Sequence, residues 1–175
     1  VLVGVTKDEL GGSVYYKTKG QLGRNAPRVD KVQGHKTLRA VHRALAARCA
    51  LAAHDLSEGG LAAAATEMAI GGKLGVVVDV AKVPVVGTLG PEQVLFSESQ
   101  SRFLLEVPPD RLADLRANLG DVPFAVVGEV TKEPSVRLQN GATPLLAMPV
   151  SELEAAWKRP LDLDQTLVAT VGGGK

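Results

Sequence analysis

The stretch His54-Asp55-Leu56-Ser57-Glu58-Gly59-Gly60 decides how the rest of the chain is read. Before it runs Ala50-Leu51-Ala52-Ala53, apolar and of strand length. After it comes Leu61 to Ile70, an alanine-rich segment that predicts a helix stopped by Gly71-Gly72. A strand, a polar turn with two glycines and a helix together make the geometry of an anion site. The glycines let a phosphate approach the backbone, and the free N–H groups of the first helical turn point toward it. Asp55 and Glu58 are hard oxygen ligands of the kind magnesium takes, and magnesium usually arrives with substrate phosphates. Ser57 can donate to a phosphate oxygen. The same residues also read as a plain helix cap, with Ser57 and Glu58 satisfying the first turn. The local pattern leaves both readings open. His54, at a strand end, reads as a packed or hydrogen-bonded side chain rather than a catalytic one.

Working outward, Val1 to Thr6 is strand-like and Tyr15 to Pro27 reads as loop. Leu38, Val41, Leu45 and Cys49 recur near the helical period, so a helix is expected over residues 37–49 with Thr37 as its cap. In the second half, strands are expected at Val76–Val80, Phe103–Val107 and Phe124–Val130, and helices at Pro91–Phe96 and Asp110–Leu119. Asn140-Gly141 marks a hairpin between Val136–Leu138 and Leu145–Ala147. A short helix is expected over Ser151–Trp157. This series predicts an α/β (α+β) fold, a mixed β-sheet with helices packed on one face. One domain is expected over residues 1–160, with a flexible tail over 161–175. The apolar opening Val1-Leu2-Val3-Gly4-Val5 reads as a strand begun mid-stride, hence a fragment of a longer chain. Its edge is expected to be exposed and to pair in a homodimer of the fragment.

Composition narrows the function classes. Hydrophobic residues make up 45 % and charged residues 22 %, as in an ordinary globular domain, but aromatics are only 3 %. The core must therefore be built from Ala, Val and Leu, and no stacking platform for nucleic-acid bases is available. The net charge of +1 and a merely mild basic cluster from Lys17 to Arg43 do not make the dense stripe of a phosphate-backbone binder. A lone cysteine, Cys49, excludes an internal disulfide and a multi-cysteine zinc site and reads as a buried packing residue. His35 and His42 lie two helical turns apart, too far to share a metal without a third ligand, and read as solvent-exposed. No apolar run is long enough to span a bilayer, so a cytoplasmic chain is expected.

Two further stretches carry the character of the first. Leu95-Phe96-Ser97-Glu98-Ser99-Gln100-Ser101-Arg102-Phe103 packs small polar groups, an acid and an arginine between a helix and an apolar strand, a common place for ligand contacts. It also reads as a helix C-terminus in which Arg102 and Glu98 pair. Glu9-Leu10-Gly11-Gly12-Ser13 is again acid, glycines and serine, or else a tight turn. Together they suggest a phosphate- or nucleotide-facing edge. No Walker-type loop, Ser-His-Asp ordering or metalloprotease motif is present.

These three stretches, taken as Thr6 to Ser13, His54 to Leu61 and Phe96 to Phe103, with Pro27-Arg28-Val29-Asp30, resemble the C-terminal domain of the aminoimidazole-ribonucleotide-synthetase superfamily. The resemblance runs from Val1 to about Val130. The run Glu98-Ser99-Gln100-Ser101-Arg102 is similar to the phosphoribosylformylglycinamidine synthases within that group. The resemblance implies an ATP-dependent amidoligase of purine biosynthesis, which converts formylglycinamide ribonucleotide, glutamine and ATP to the amidine. It implies a substrate contact at Glu98, Ser99 and Gln100, nucleotide contacts at Ser57, Gly59 and Gly60, and a Mg2+ ligand at Asp55. It implies no catalytic residue in this chain, whose partners would be the N-terminal domains of the same enzyme, a glutaminase subunit and a small bridging subunit. Asp55-Leu56-Ser57-Glu58 resembles the small, multi-subunit form. Thr143 to Lys175 carries little resemblance. A non-catalytic structural half, or a related small-molecule kinase, remain the alternatives.

Overall fold

Neighbouring residues in each strand face opposite sides of a sheet, and here they divide between two cores. The computed structural model describes residues 1–159. In chain order the elements are β1 (Leu2–Val3), α1 (Val14–Thr18), α2 (Lys31–Ala46), β2 (Ala52–Asp55), α3 (Gly60–Gly72), β3 (Gly75–Asp79) and α4 (Pro91–Phe96). There follow β4 (Phe103–Glu106), α5 (Leu112–Leu119), β5 (Phe124–Ala125), β6 (Gly128–Thr131), β7 (Ser135–Asn140), β8 (Thr143–Pro149) and α6 (Val150–Lys158). The α+β class expected from the sequence is the one observed. The strands form two four-stranded sheets, in the orders β2-β4-β1-β5 and β6-β3-β7-β8. The first is antiparallel throughout. The second is mixed, because β3 runs parallel to β7 and antiparallel to β6.

The first sheet is covered on both faces. Leu2 and Leu104 join a core built on α3 (Leu61, Ala64, Ala65, Ala69), which also takes Val78, Val136 and Leu138 from the second sheet. Val3 and Leu105 join the opposite core, with Ala40, Val41 and Ala44 of α2, Cys49, and Leu115 and Leu119 of α5. Cys49 is fully buried, as its apolar setting suggests. The small side chains of α3 let both sheets approach one helix, which is why an aliphatic core without aromatics suffices.

Several sequence expectations shift for local physical reasons. Thr37 is a buried mid-helix residue; Asp30 caps α2 instead, its carboxylate accepting from Val32 N and Gln33 N at 3.0 and 2.9 Å. The loop expected over Tyr15–Pro27 contains α1, capped by the buried Ser13. Gly71 and Gly72 are the last residues of α3, and Lys73, with φ of +54°, takes the left-handed stop. The single strand expected at Phe124–Val130 breaks after Ala125: β5 pairs with β1, whereas β6 pairs with β3. Apolar periodicity cannot register a chain that stays extended while changing sheets. The hairpin around Asn140-Gly141 forms as read, with β7 and β8 as its arms.

The expected exposed edge at Val1–Val5 is not there. Strand β1 is an inner strand, paired on one side with β4 and on the other with β5, and both its residues are fully buried. The rationale for a homodimer through that edge falls with it. The tail expected over 161–175 lies outside the described residues.

Helix α6 is fastened to α3 by Glu154, whose carboxylate lies 2.5 Å from Lys73 Nζ and 2.7 Å from Lys158 Nζ. Hydrogen bonds from Lys158 and Lys73 hold the Glu154 carboxyl down from 4.5 to about 2. A depressed carboxylate contributes stability above its unfolded value and loses it as pH falls through the folded one. The Glu154→Gln variant should therefore melt below the parent at neutral pH, with the difference closing between about pH 4.5 and 2. A melting-temperature difference independent of pH over that range would contradict the assignment.

Candidate functional site

Strand β2 delivers the chain to Asp55 and α3 begins at Gly60, so Leu56 to Gly59 make the turn between them. Gly59 and Gly60 both adopt left-handed φ, +75° and +62°. A Cβ on Gly60 would stand 2.6 Å from Ser97 O and 2.8 Å from Leu95 O. The glycine is thus required by backbone that presses against backbone, quite apart from any ligand. Leu56 is buried and its amide donates to Arg102 O at 3.0 Å, so the turn is tied to the third motif at both ends.

One amide at this helix start, Gly59 N, is taken by a carboxylate of the protein itself. Glu98 Oε1 accepts from Gly59 N at 2.9 Å, and also from Val14 N at the start of α1, again at 2.9 Å. A carboxylate at the N-terminal end of α3 offsets the partial positive charge of that end, where the cap residue Gly59 has no side chain to do so. Glu98 thereby joins the turns at Ser13 and Gly59.

Arg102 fastens the other side. It is 1 % exposed, and its Nε donates to Ser99 O at 2.9 Å, Nη1 to Thr6 Oγ1 at 2.9 Å and Nη2 to Ser97 O. Burial lowers its pKa from the usual guanidinium value to about 10, while Glu9 and Glu98 oppose that shift, so it stays a cation at neutral pH. Among the described residues it forms no ion pair with Glu98, contrary to the pairing that the sequence allowed. The buried Ser97 takes Glu9 N on its Oγ at 3.3 Å, and the buried Ser99 takes Lys7 N at 3.0 Å. Glu98 N returns a bond to Glu9 O at 3.2 Å. Glu9 is buried; its Oε1 accepts from Arg28 N at 3.0 Å and its Oε2 has no partner among the described residues. Ser101 sits at φ of +61°, a strained setting for a residue with a side chain, held where the chain turns between Arg102 and α2.

The three motifs therefore converge, but the expected site residues divide. Glu98 and Ser99 are committed to backbone amides. Gln100 is exposed, and its amide reaches only Glu98 O at 3.4 Å. Asp55, Ser57 and Glu58 are exposed at the mouth of the turn. The Ser57 hydroxyl donates to Asp55 Oδ2, and this bond, with the Asp55 amide and His54 beside it, holds the Asp55 carboxyl below its ordinary value against a smaller effect of burial. His54 is hydrogen-bonded as expected: its Nε2 lies 2.9 Å from Glu67 Oε2 and its Nδ1 2.6 Å from Asp55 O. His35 and His42 are both exposed on α2. A cleft of about 660 Å³ opens between the sheets, but none of the motif residues lines it. The roles missed by sequence reasoning are the framework ones, at Thr6, Glu9, Ser97 and Arg102. The available signal was Arg102 itself, a cation placed directly before an apolar strand.

Two substitutions test this framework by denaturant unfolding. Arg102→Met leaves three acceptors without their donor and should cost roughly 3 kcal/mol or more. Gly60→Ala should cost about 2 kcal/mol, from left-handed strain and contact with the 95–97 backbone. Either variant matching the parent in stability would sink the claim that these contacts hold the motifs together.

Comparison with known proteins places the chain. The family described as AIR synthase related protein, C-terminal domain, matches residues 1–140. The phosphoribosylformylglycinamidine synthase subunit PurL of Thermococcus sibiricus is 43 % identical over 132 residues, covering 75 % of this chain and 18 % of that protein. A solved structure described as Thermotoga maritima PurL complexed with FGAR superposes with a TM-score of 0.76 at 23 % identity, covering 87 % of this chain and 27 % of that one. Another, of PurLQS from T. maritima, gives a TM-score of 0.66 at 26 % identity, covering 87 % of this chain and 25 % of that one. The chain thus spans about a fifth of the length of the curated relatives it matches. By the match across most of its length, the chain belongs to the AIR synthase related protein family, as its C-terminal domain.

Proposed function

We propose that the chain is the C-terminal domain of an ATP-dependent carbon–nitrogen ligase of purine biosynthesis. The whole enzyme would convert formylglycinamide ribonucleotide to the amidine, taking ammonia from glutamine. The observation that carries this reading is the family match over residues 1–140, a range that includes all three motifs, together with relatives named as this synthase subunit. The enzyme would work in the cytoplasm, with a glutaminase subunit and a small bridging subunit. Among the described residues no helix is long and apolar enough to cross a membrane.

Within that enzyme the domain forms one wall of a phosphate-binding cleft. Asp55 fits a Mg2+ ligand: it is an exposed hard oxygen donor, and Ser57 keeps it ionised. One carboxylate cannot fill magnesium's six oxygen positions, so nucleotide phosphates and residues of other domains would complete the set. When bound, the metal would neutralise phosphate charge. Ser57 would orient the Asp55 carboxylate with its one hydroxyl proton, leaving its oxygen lone pairs as acceptors on the nucleotide side. Gly59 and Gly60 would contribute the shape of the turn rather than free amides, since Gly59 N already serves Glu98. Gln100 is the member of the substrate trio with its side chain free to reach outward, while Glu98 and Ser99 fix its position.

Because Ser99 is buried and Glu98 Oε1 is taken by two amides, a second reading has support: a structural half that binds nothing. Calorimetric titration of the full-length protein with ADP and Mg2+ separates the two. On the first reading Asp55→Asn weakens binding about tenfold or more; equal binding by variant and parent supports the structural half. The isolated 175-residue chain should form no amidine from substrate, ATP and ammonia. Turnover by that chain alone would contradict the division of labour proposed.

A further inference from the structure

Strand β2 is the outer strand of its sheet: it pairs with β4 on one side, and no described strand pairs with its other edge. Its last residue is Asp55, the carboxylate read above as a metal ligand. A metal ligand binds well only when outer contacts hold it in place. On the unpaired side of β2 that contact is His54. Its Nδ1 lies 2.6 Å from Asp55 O, a carbonyl that can only accept, so Nδ1 is the donor. Its Nε2 lies 2.9 Å from Glu67 Oε2. Glu67 stands about two turns past Gly60 on α3. Both ring nitrogens are thus occupied, and the histidine is not itself offered to a metal.

Asp55 is therefore held at two points. The imidazole takes its carbonyl, and the Ser57 hydroxyl takes Oδ2 of its carboxylate. The first contact fixes where the residue stands, and the second fixes how the carboxylate is rotated. The imidazole is anchored in turn on α3, the helix that starts just after the turn from Leu56 to Gly59. Strand end and helix are clamped to each other across that turn. The clamp is a poor stability device. The His54 and Glu67 side chains are 32 and 40 % exposed, and pairs this exposed contribute little to folding. Leu61, Ala64 and Ala65 already fasten α3 to the sheets through the apolar core. What the clamp adds is orientation at Asp55.

We propose that His54 and Glu67 are positioning residues for Asp55: Glu67, through the imidazole, holds the Asp55 carboxylate where a magnesium–nucleotide complex meets it. The proposal rests on the reading above that Asp55 is a Mg2+ ligand. The two side chains act as one unit, because Glu67 reaches Asp55 only through the ring. The magnesium affinity of the site then depends on a glutamate in the middle of α3, outside all three motifs.

The test is calorimetric titration of the full-length protein with ADP over a graded series of Mg2+ concentrations. Glu67→Ala and His54→Ala should each raise the Mg2+ concentration for half-maximal binding about tenfold. At saturating Mg2+ both should regain the ADP affinity of the parent, which a merely misfolded site would not do. The double variant should shift no further than either single one. Glu67→Gln, whose side-chain oxygen can still accept from Nε2, should stay close to the parent. Where His54→Ala also lowers the melting temperature, Glu67→Ala on its partly exposed helix face reads the same contact. The inference is overturned if Glu67→Ala leaves the Mg2+ midpoint unchanged, or if Glu67→Gln shifts it as far as Glu67→Ala. It is likewise overturned if the two single effects multiply in the double variant. Asp55→Asn separates the proposal from the reading beneath it. If Asp55→Asn moves the midpoint and the pair does not, only the positioning role fails; if none of these variants moves it, the metal reading fails and takes the positioning role with it.

Discussion

The Arg102 guanidinium is the constraint on which this domain's functional edge depends. Removing a cation from water is costly, and hydrogen bonds must offset that cost. Here two backbone carbonyls and the Thr6 hydroxyl do so, and all three belong to motif segments. Because the guanidinium is planar and its donors fixed in direction, it sets the relative positions of the Ser97–Ser99 loop and the chain leaving β1. The left-handed turn at Ser101 and the bond from Leu56 N to Arg102 O then bring the third segment against the other two.

Glu98 completes the arrangement from the opposite side. Its carboxylate meets amides from two turns that are far apart in sequence. One amide at the start of α3 is thus taken inside the protein, and the motif side chains exposed to solvent there include Asp55, Ser57, Glu58 and Gln100. The edge presents the Asp55 and Glu58 carboxylates, the Ser57 hydroxyl and the Gln100 amide outward. Such an edge suits cations and hydrogen-bond donors more than a bare phosphate, and a phosphate would come with its metal.

Much of the fold was legible because it depends on short-range signals. The alanine-rich run after Gly60 makes α3, Asn140-Gly141 makes the hairpin, and Pro91 to Phe96 makes α4 with Pro91 at its first position. What the sequence could not express was pairing between distant segments. Nothing local in Phe124 to Val130 says that it serves two sheets, and nothing in Val1 to Val5 says that β5 will cover its second edge. The same holds at the site. The three motifs could be recognised and grouped, but the pattern left cap and anion site open, and the carboxylate that takes the Gly59 amide, Glu98, lies 39 residues away. The commitment of Ser99 to Lys7, across 92 residues, was equally out of reach.

The central claim is that one carboxylate, Glu98, holds the starts of α1 and α3 together. Nuclear magnetic resonance of the 175-residue chain with labelled Glu98, Gly59 and Val14 tests it most directly. If both amides donate to this carboxylate, through-hydrogen-bond couplings should connect the Gly59 and Val14 amide nitrogens to the Glu98 carboxyl carbon. In Glu98→Ala both couplings should vanish and both amide protons should exchange faster with solvent. Absent couplings in the parent, or amide exchange unchanged in the variant, would contradict the account.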